Sequence, residues 1–360
     1  MTSLFDPLQF QRGAPLKNRF MLAPLTNLQS HPDGTLSDDE FKWLVKRAEG
    51  GFGLTMTCAA SAQFEGYGFP GQLGVYDDKH LPGLTRLAET LNARGTHSVV
   101  QLHHAGMRAM ESVIGRKPQC PSDDAETGAV GMTLDEIKHT IDCFVGAATR
   151  SERAGFKGVE LHGAHGYLLA QFLSPQYNRR EDEYGGSPEN RARIVLEMID
   201  GIRAETGPNF TLGIRVSPER FGQKLDEIAA LAQRLMNEAK LDYIDMSLWD
   251  AFKQPQDEEF QSKSLAAWFT ELKRGKVKLG AAGKIFTGAQ AKQIVDMGFD
   301  FAIIGGGAIL HHDFPNRIAA DAGFASVRTP VSADYLRQEG LGEAFVNYMR
   351  TWKGFVEEAA

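Results

Sequence analysis

The chain has 360 residues, 42% of them hydrophobic, enough to fill one large α/β barrel or two medium domains. A net charge of −7 argues against a general binder of nucleic acid or of anionic membranes. The three cysteines, Cys58, Cys120 and Cys143, are odd in number and lack metal-ligand spacing, so they form neither a disulfide framework nor an iron–sulfur site and suit a reducing cytoplasm.

In chain order, short apolar runs alternate with longer amphipathic ones. The pattern predicts strand 20–23 then helix 39–49, strand 54–58 then helix 80–94, and strand 98–102 then helix 134–154. It continues with strand 158–161 and helix 187–205, strand 211–216 and helix 225–239, and strand 243–246 and helix 263–273. Strand 277–281 with helix 287–297, and strand 301–304 with a shorter helix 313–321, complete the series. Asp38, Ser187 and Thr287 are candidate helix caps, and Pro188 suits a first helical position. Strands apolar on both faces, each followed by a helix, imply parallel strands with right-handed crossovers. Eight such units predict a single-domain (β/α)8 TIM barrel spanning 1–360, with 322–360 as a C-terminal extension. Long irregular stretches follow the third strand (103–133) and the fourth (162–186), where loops of such length are commonly functional. Tyr348 and Trp352 in the extension either cap this barrel or cover a second copy, so homo-oligomer formation stays open. The first residues show no basic region before an apolar run, and no stretch approaches the ~18 apolar residues of a membrane span. The expectation is a soluble, cytoplasmic protein.

A barrel concentrates functional groups at the C-terminal ends of its strands. Those positions read Pro24-Leu25-Thr26, Ala59-Ala60, Gln101, His162, His165 and Tyr167, Arg215, Gly283-Lys284 and Gly305-Gly306-Gly307. The glycine-bearing turns after strands 7 and 8 offer backbone N–H groups to a phosphate. The array suits a ligand with a phosphate at one side and a polar ring at its centre. Two imidazoles three residues apart with a nearby phenol can hold a carbonyl oxygen and protonate a neighbouring carbon. Taken alone, the same pair fits a zinc or iron site, or structural histidines at a strand end. The run Gly305-Gly306-Gly307 lacks the spacing of a dinucleotide fingerprint.

Over essentially its whole length the chain resembles the old yellow enzyme family of FMN-dependent ene-reductases. The carrying motifs are Ala23-Pro-Leu-Thr26, Gln101-Leu-His-His-Ala-Gly106, His162-Gly-Ala-His-Gly-Tyr-Leu168, Gln171-Phe-Leu-Ser-Pro175, the run from Asn178 to Arg191, and Gly213-Ile-Arg-Val-Ser217. The resemblance implies FMN as cofactor, with NADPH or NADH as reductant stacking over the flavin. It implies that Pro24, Leu25 and Thr26 contact the flavin edge, that Ala60 lies close to the ring, and that Gln101 meets the pyrimidine. Arg215 would face flavin N1, where a fixed positive charge favours the anionic reduced form. His162 and His165 would donate to the carbonyl oxygen of an activated alkene (an enone, enal, maleimide or nitroalkene). Hydride would pass from flavin N5 to the β-carbon, and Tyr167 would protonate the α-carbon in a ping-pong cycle.

One position departs from the family. Where the family usually places an arginine on the FMN phosphate, this chain has Gly306. Backbone N–H groups at Gly283, Lys284, Gly305 and Gly306, with the Lys284 ammonium, are the candidate replacements. Other readings of the scaffold are a nitrate-ester or enoyl-CoA-type reductase, or a flavin-poor or metal-binding barrel without redox chemistry. The larger multidomain relatives carry an iron–sulfur cluster, for which this chain has neither cysteines nor length.

Overall fold

The computed structural model describes residues 2–358. Eight parallel strands close into a barrel: β1 (Phe20–Leu22), β2 (Leu54–Ser61), β3 (His97–His103), β4 (Gly158–Gly163), β5 (Thr211–Val216), β6 (Tyr243–Ser247), β7 (Lys278–Ala282) and β8 (Phe301–Ile304). Each pairs with its neighbours in sequence, and β8 returns to β1. The predicted (β/α)8 architecture is what forms. A two-residue pair, Gln119–Cys120 with Val130–Gly131, lies apart in the loop after β3.

Strand register decides what enters the barrel, because residues paired in parallel strands face the same side. Gln101 pairs with Glu160, Glu160 with Gly213, and Gly213 with Tyr243. Two residues further along, His162 pairs with Arg215, Arg215 with Asp245, and Asp245 with Gly280. The alternate residues, such as Val159, Leu161, Leu212 and Ile214, point outward into the apolar layer beneath the helices. Two glycines make room for the inner rings. A Cβ on Gly213 would overlap the Tyr243 ring, and one on Gly280 would overlap Phe301. From below, Phe10 stacks on Tyr243 at 5.2 Å and meets Phe301 edge-on at 6.3 Å, plugging the N-terminal end.

The helices follow their local signals with a few differences. Ser187 accepts from Asn190 N–H to cap Pro188–Glu205, and Thr287 caps Gly288–Asp296. The first helix, Asp38–Glu49, is capped by Ser37 rather than Asp38, which is its first residue and sits where an acid suits the helix dipole. The expected helix 263–273 shrinks to one turn, Ala267–Thr270. Leu265, Ala266 and Phe269 are already buried there, and Leu265 N–H is held by Lys253 O in the preceding loop. Inside the loop after β4 lies a helix that periodicity could not show, Leu168–Leu173, because all six of its residues are buried. The C-terminal segment adds Ala333–Gln338 and Glu343–Arg350. Phe345 packs on Trp43 of the first helix at 4.8 Å, and Gly342 N–H reaches Gln29 Oε1 at 2.8 Å. Among the described residues no helix is long and apolar enough to cross a membrane.

Candidate active site

His162 is the last inward-facing residue of β4. After Gly163 the chain turns sharply, with His165 at φ 61° and Gly166 at φ 72°. This pair of left-handed residues folds His165 back toward the strand it has just left. The turn is pinned by His165 N–H on Ser217 Oγ (3.1 Å), by Arg108 Nη1 on His165 O (2.8 Å), and by Gln171 Nε2 on Gly166 O (2.8 Å). As a result the three rings meet: His162 lies 5.1 Å from both His165 and Tyr167, centroid to centroid.

The local chemistry makes these rings neutral donors and an acid. Burial, then His165, His103, Arg215 and Arg108, push the His162 imidazolium well below its ordinary range. Burial, then Arg215 and Arg108, push His165 down to about 3. His162 Nδ1 accepts from Ala164 N–H at 3.3 Å, so its single proton resides on Nε2. His165 Nε2 lies 2.7 Å from Ser247 Oγ, which also receives Arg215 Nη2 at 3.4 Å. The Tyr167 phenol is raised by burial, while the guanidinium of Arg108, 4.8 Å from its ring centre, opposes that shift.

Below the histidines lies a buried polar belt that the sequence reading missed, apart from Gln101 and Arg215. Gln101 Nε2 donates to Glu160 Oε1 at 2.8 Å, and Arg215 Nε stands 3.3 Å from Asp245 Oδ2. Burial raises both carboxyls; Asp245 raises Glu160 further, while Arg215 opposes both shifts. The belt is under-satisfied: among the described residues Gln101 Oε1, Glu160 Oε2 and Asp245 Oδ1 have no hydrogen-bond partner, and Arg215 Nε and Asp245 Oδ2 meet only as an ion pair. The available clue was an acid two residues before His162 on an otherwise apolar strand, since that spacing points both side chains inward.

A cleft of about 190 Å³ opens beside this belt. Of the candidate residues, Pro24, Leu25, His165, Arg215, Gly283, Lys284, Gly305 and Gly306 line it. Ser247, Trp249 and Phe286 line it as well, of which Ser247 and Phe286 were not anticipated. Thr26 is half-buried next to Leu25, and none of the hydrogen bonds among described residues uses its hydroxyl. Gln101 and Ala60 are fully buried and do not line the cleft; His162 touches its lining residue His165, and Tyr167 packs behind on His162. Gly283 admits no side chain, because a Cβ would stand 2.7 Å from Ala251 N.

The Gly306 departure now has a structural form. A Cβ there would lie 2.9 Å from the Phe286 ring, so that ring covers the space beside Gly306. Lys284 is well placed on the cleft, but its ammonium lies 3.2 Å from Asp250 and is partly neutralised. His162 and His165 do not join a cluster of metal-ligand type. Among the described residues such a grouping is His312, Asp313 and Glu339, where Arg317 already pairs with Asp313. The unsatisfied amide and guanidinium fit the polar edge of an isoalloxazine, and the glycine-lined end fits its phosphate. On that evidence the residues present fit FMN: Gln101 and Arg215 would meet its ring, and Gly283, Lys284, Gly305 and Gly306 would hold its phosphate.

Comparison with known proteins agrees. The family model of the NADH:flavin oxidoreductase / NADH oxidase family matches residues 3–322. The NADPH dehydrogenase of Bacillus licheniformis is 34% identical over 337 residues, covering 92% of this chain and 98% of the relative. The probable NADH-dependent flavin oxidoreductase YqiG of Bacillus subtilis is 33% identical over 313 residues, covering 84% of each chain. The structure of morphinone reductase in complex with tetrahydroNAD superposes with a TM-score of 0.79 at 28% identity, covering 97% of both chains. The chain therefore belongs to the NADH:flavin oxidoreductase / NADH oxidase family, the old yellow enzymes, and is an FMN-dependent NAD(P)H oxidoreductase.

Proposed function

We propose that this enzyme reduces activated C=C bonds, with His162 and His165 holding the substrate's carbonyl oxygen and Tyr167 delivering the proton. The observation that carries the reading is the meeting of three uncharged rings, one of which, His165, lines the cleft, while another, His162, is fixed as an Nε2–H donor. Bound FMN supplies the hydride. As the β-carbon gains it, negative charge builds on the carbonyl oxygen, and donors already in place stabilise that charge. Loss of one such donor commonly costs ~3 kcal/mol. Neutral imidazoles suit this task because they keep the donor without requiring a buried cation. Burial keeps Tyr167 protonated until the α-carbon takes its proton, and Arg108 stands near the phenolate left behind.

On the cofactor side, Pro24, Leu25, Thr26 and Ala60 would border the flavin, and Arg215 would favour its anionic reduced form. The substrate classes follow from the need for an electron-withdrawing oxygen acceptor: enones, enals, maleimides and nitroalkenes. Three free cysteines are consistent with a cytoplasmic setting.

The experiment is an absorbance spectrum of the purified protein, before and after anaerobic NADPH, then with 2-cyclohexenone. Flavin bands that bleach and then return on adding the enone support the reading. Bands that bleach but return only with a nitrate ester or an enoyl-CoA would move the function to those substrates.

A further inference from the structure

His103, the last residue of β3 and two beyond Gln101, has no assigned role yet sits inside the cluster of catalytic rings. It is wholly buried, with its ring 4.4 Å from Tyr167 in an edge-to-face contact and 5.4 Å from His162. Its tautomer is determined by a neighbour. Gln72 Oε1 accepts from Gly68 N–H at 2.8 Å, and Gln72 Nε2 donates to Ala59 O at 2.7 Å. Those two bonds fix which end of the amide is nitrogen. It is therefore an N–H donor that stands 2.9 Å from His103 Nδ1, and Nδ1 must present its lone pair.

Burial, with His104, Arg108 and His165 nearby, keeps the ring uncharged. The one remaining proton lies on Nε2, and that N–H has no acceptor in the protein. A buried donor without a partner is costly to keep, which points to an acceptor that exists during turnover. The side chain in direct ring contact that gains negative charge in the proposed cycle is Tyr167. When its O–H bond breaks and the new C–H bond forms at the substrate's α-carbon, the electron pair stays on the phenolate oxygen until solvent returns a proton.

We propose that His103, held as its Nε2–H tautomer by Gln72, is a positioning residue that orients Tyr167 and stabilises the phenolate it leaves. The inference rests on the ene-reductase reading above. It deepens that reading by giving the proton donor a dedicated partner.

The test uses the flavin-loaded enzyme in anaerobic stopped flow. His103→Phe keeps a flat ring of similar size and removes the N–H. Flavin reduction by NADPH is expected to stay unchanged, whereas reoxidation by 2-cyclohexenone slows roughly tenfold, with a larger solvent isotope effect in D2O. His103→Gln, which restores an N–H, recovers part of the loss. In a Tyr167→Phe background, His103→Phe adds nothing further. The proposal is overturned if His103→Phe leaves reoxidation untouched, or slows it equally in the Tyr167→Phe background. If the variant does not load flavin, the histidine 15N–1H spectrum of the wild-type enzyme decides: a His103 proton on Nδ1 overturns the proposal and one on Nε2 supports it. Failure of the wild-type enzyme to be reoxidised by any activated alkene would instead sink the ene-reductase reading itself, whatever His103 does.

Discussion

The two ends of the barrel interior are built on opposite terms. The lower end is dry: Phe10, Met21, Leu54, Met56, Val99, Tyr243 and Phe301 pack on one another, and two glycines are given up to fit the rings. The upper end holds Gln101, Glu160, His162, Arg215 and Asp245; five of their polar atoms make no hydrogen bond among the described residues, and two of those five meet only as the Arg215–Asp245 ion pair. Backbone strain divides the same way. Of the seven non-glycine residues with positive φ among the described residues, Leu28, His165, Arg220, Phe221, Trp249 and Lys284 lie in loops beyond strand ends at the cleft side, and Ala239 ends a helix. Apart from the buried Tyr243 hydroxyl, the lower end is complete when the chain has folded, so its side chains serve stability. The upper end carries costs that folding alone does not offset, which is the signature of a surface finished by its ligands.

That contrast can be broken most sharply at Tyr167. Tyr167→Phe is expected to slow alkene reduction by about 10²-fold or more while leaving flavin reduction by NADPH unchanged. Its unfolding free energy in urea should stay within ~0.5 kcal/mol of wild type. A large loss of stability would show that the two ends are not separable. The mirror-image change is Gly280→Ala. Its methyl group would overlap the Phe301 ring, and the expected cost is ~2–3 kcal/mol of stability with the flavin spectrum of the folded fraction retained. Wild-type stability in that variant would mean that the lower layer can yield.

A smaller effect tests the phosphate end. Gly306→Arg combined with Phe286→Ala should tighten FMN about tenfold, because a charge-assisted hydrogen bond is worth ~1.5–3 kcal/mol. Gly306→Arg alone should gain less, since the Phe286 ring stands in its way. No tightening in the double variant would mean that the backbone and Lys284 already suffice.

The smallest effect is a pH dependence shared by both ends. Burial holds His165 and His104 down to about 3 and His97 to about 4, against ~6.5 in the unfolded chain. Between those values the unfolded state binds more protons, so their contribution is full above pH ~6.5 and is lost as pH falls toward 3. The melting temperature should therefore drop by on the order of 5 °C between pH 7 and pH 4.5. A flat profile would show that these rings take up protons without loosening the fold.

Much of this was readable from the chain. The eight strands were visible because each is a short run apolar on both faces, and the caps at Ser187 and Thr287 are local side-chain chemistry. His162, His165 and Tyr167 were legible as a group because one turn carries all three. Leu168–Leu173 was hidden, since a helix buried all round has no amphipathic period to detect. The segment around Ala267 read as a full helix for the opposite reason: its apolar spacing was real, but a single turn and a loop contact bury it.

The sequence by itself determined the barrel, its family motifs and the residue types at the strand ends, because those depend on short-range periodicity and on neighbours a few positions apart. Only the tertiary structure decided that Arg215 stands beside Asp245, that Phe286 lies beside Gly306, that Asp250 draws on Lys284, and that Gln72 sets the proton of His103. Those relations depend on strand register and loop packing between residues distant in the chain, and no spacing along a single strand of text encodes them.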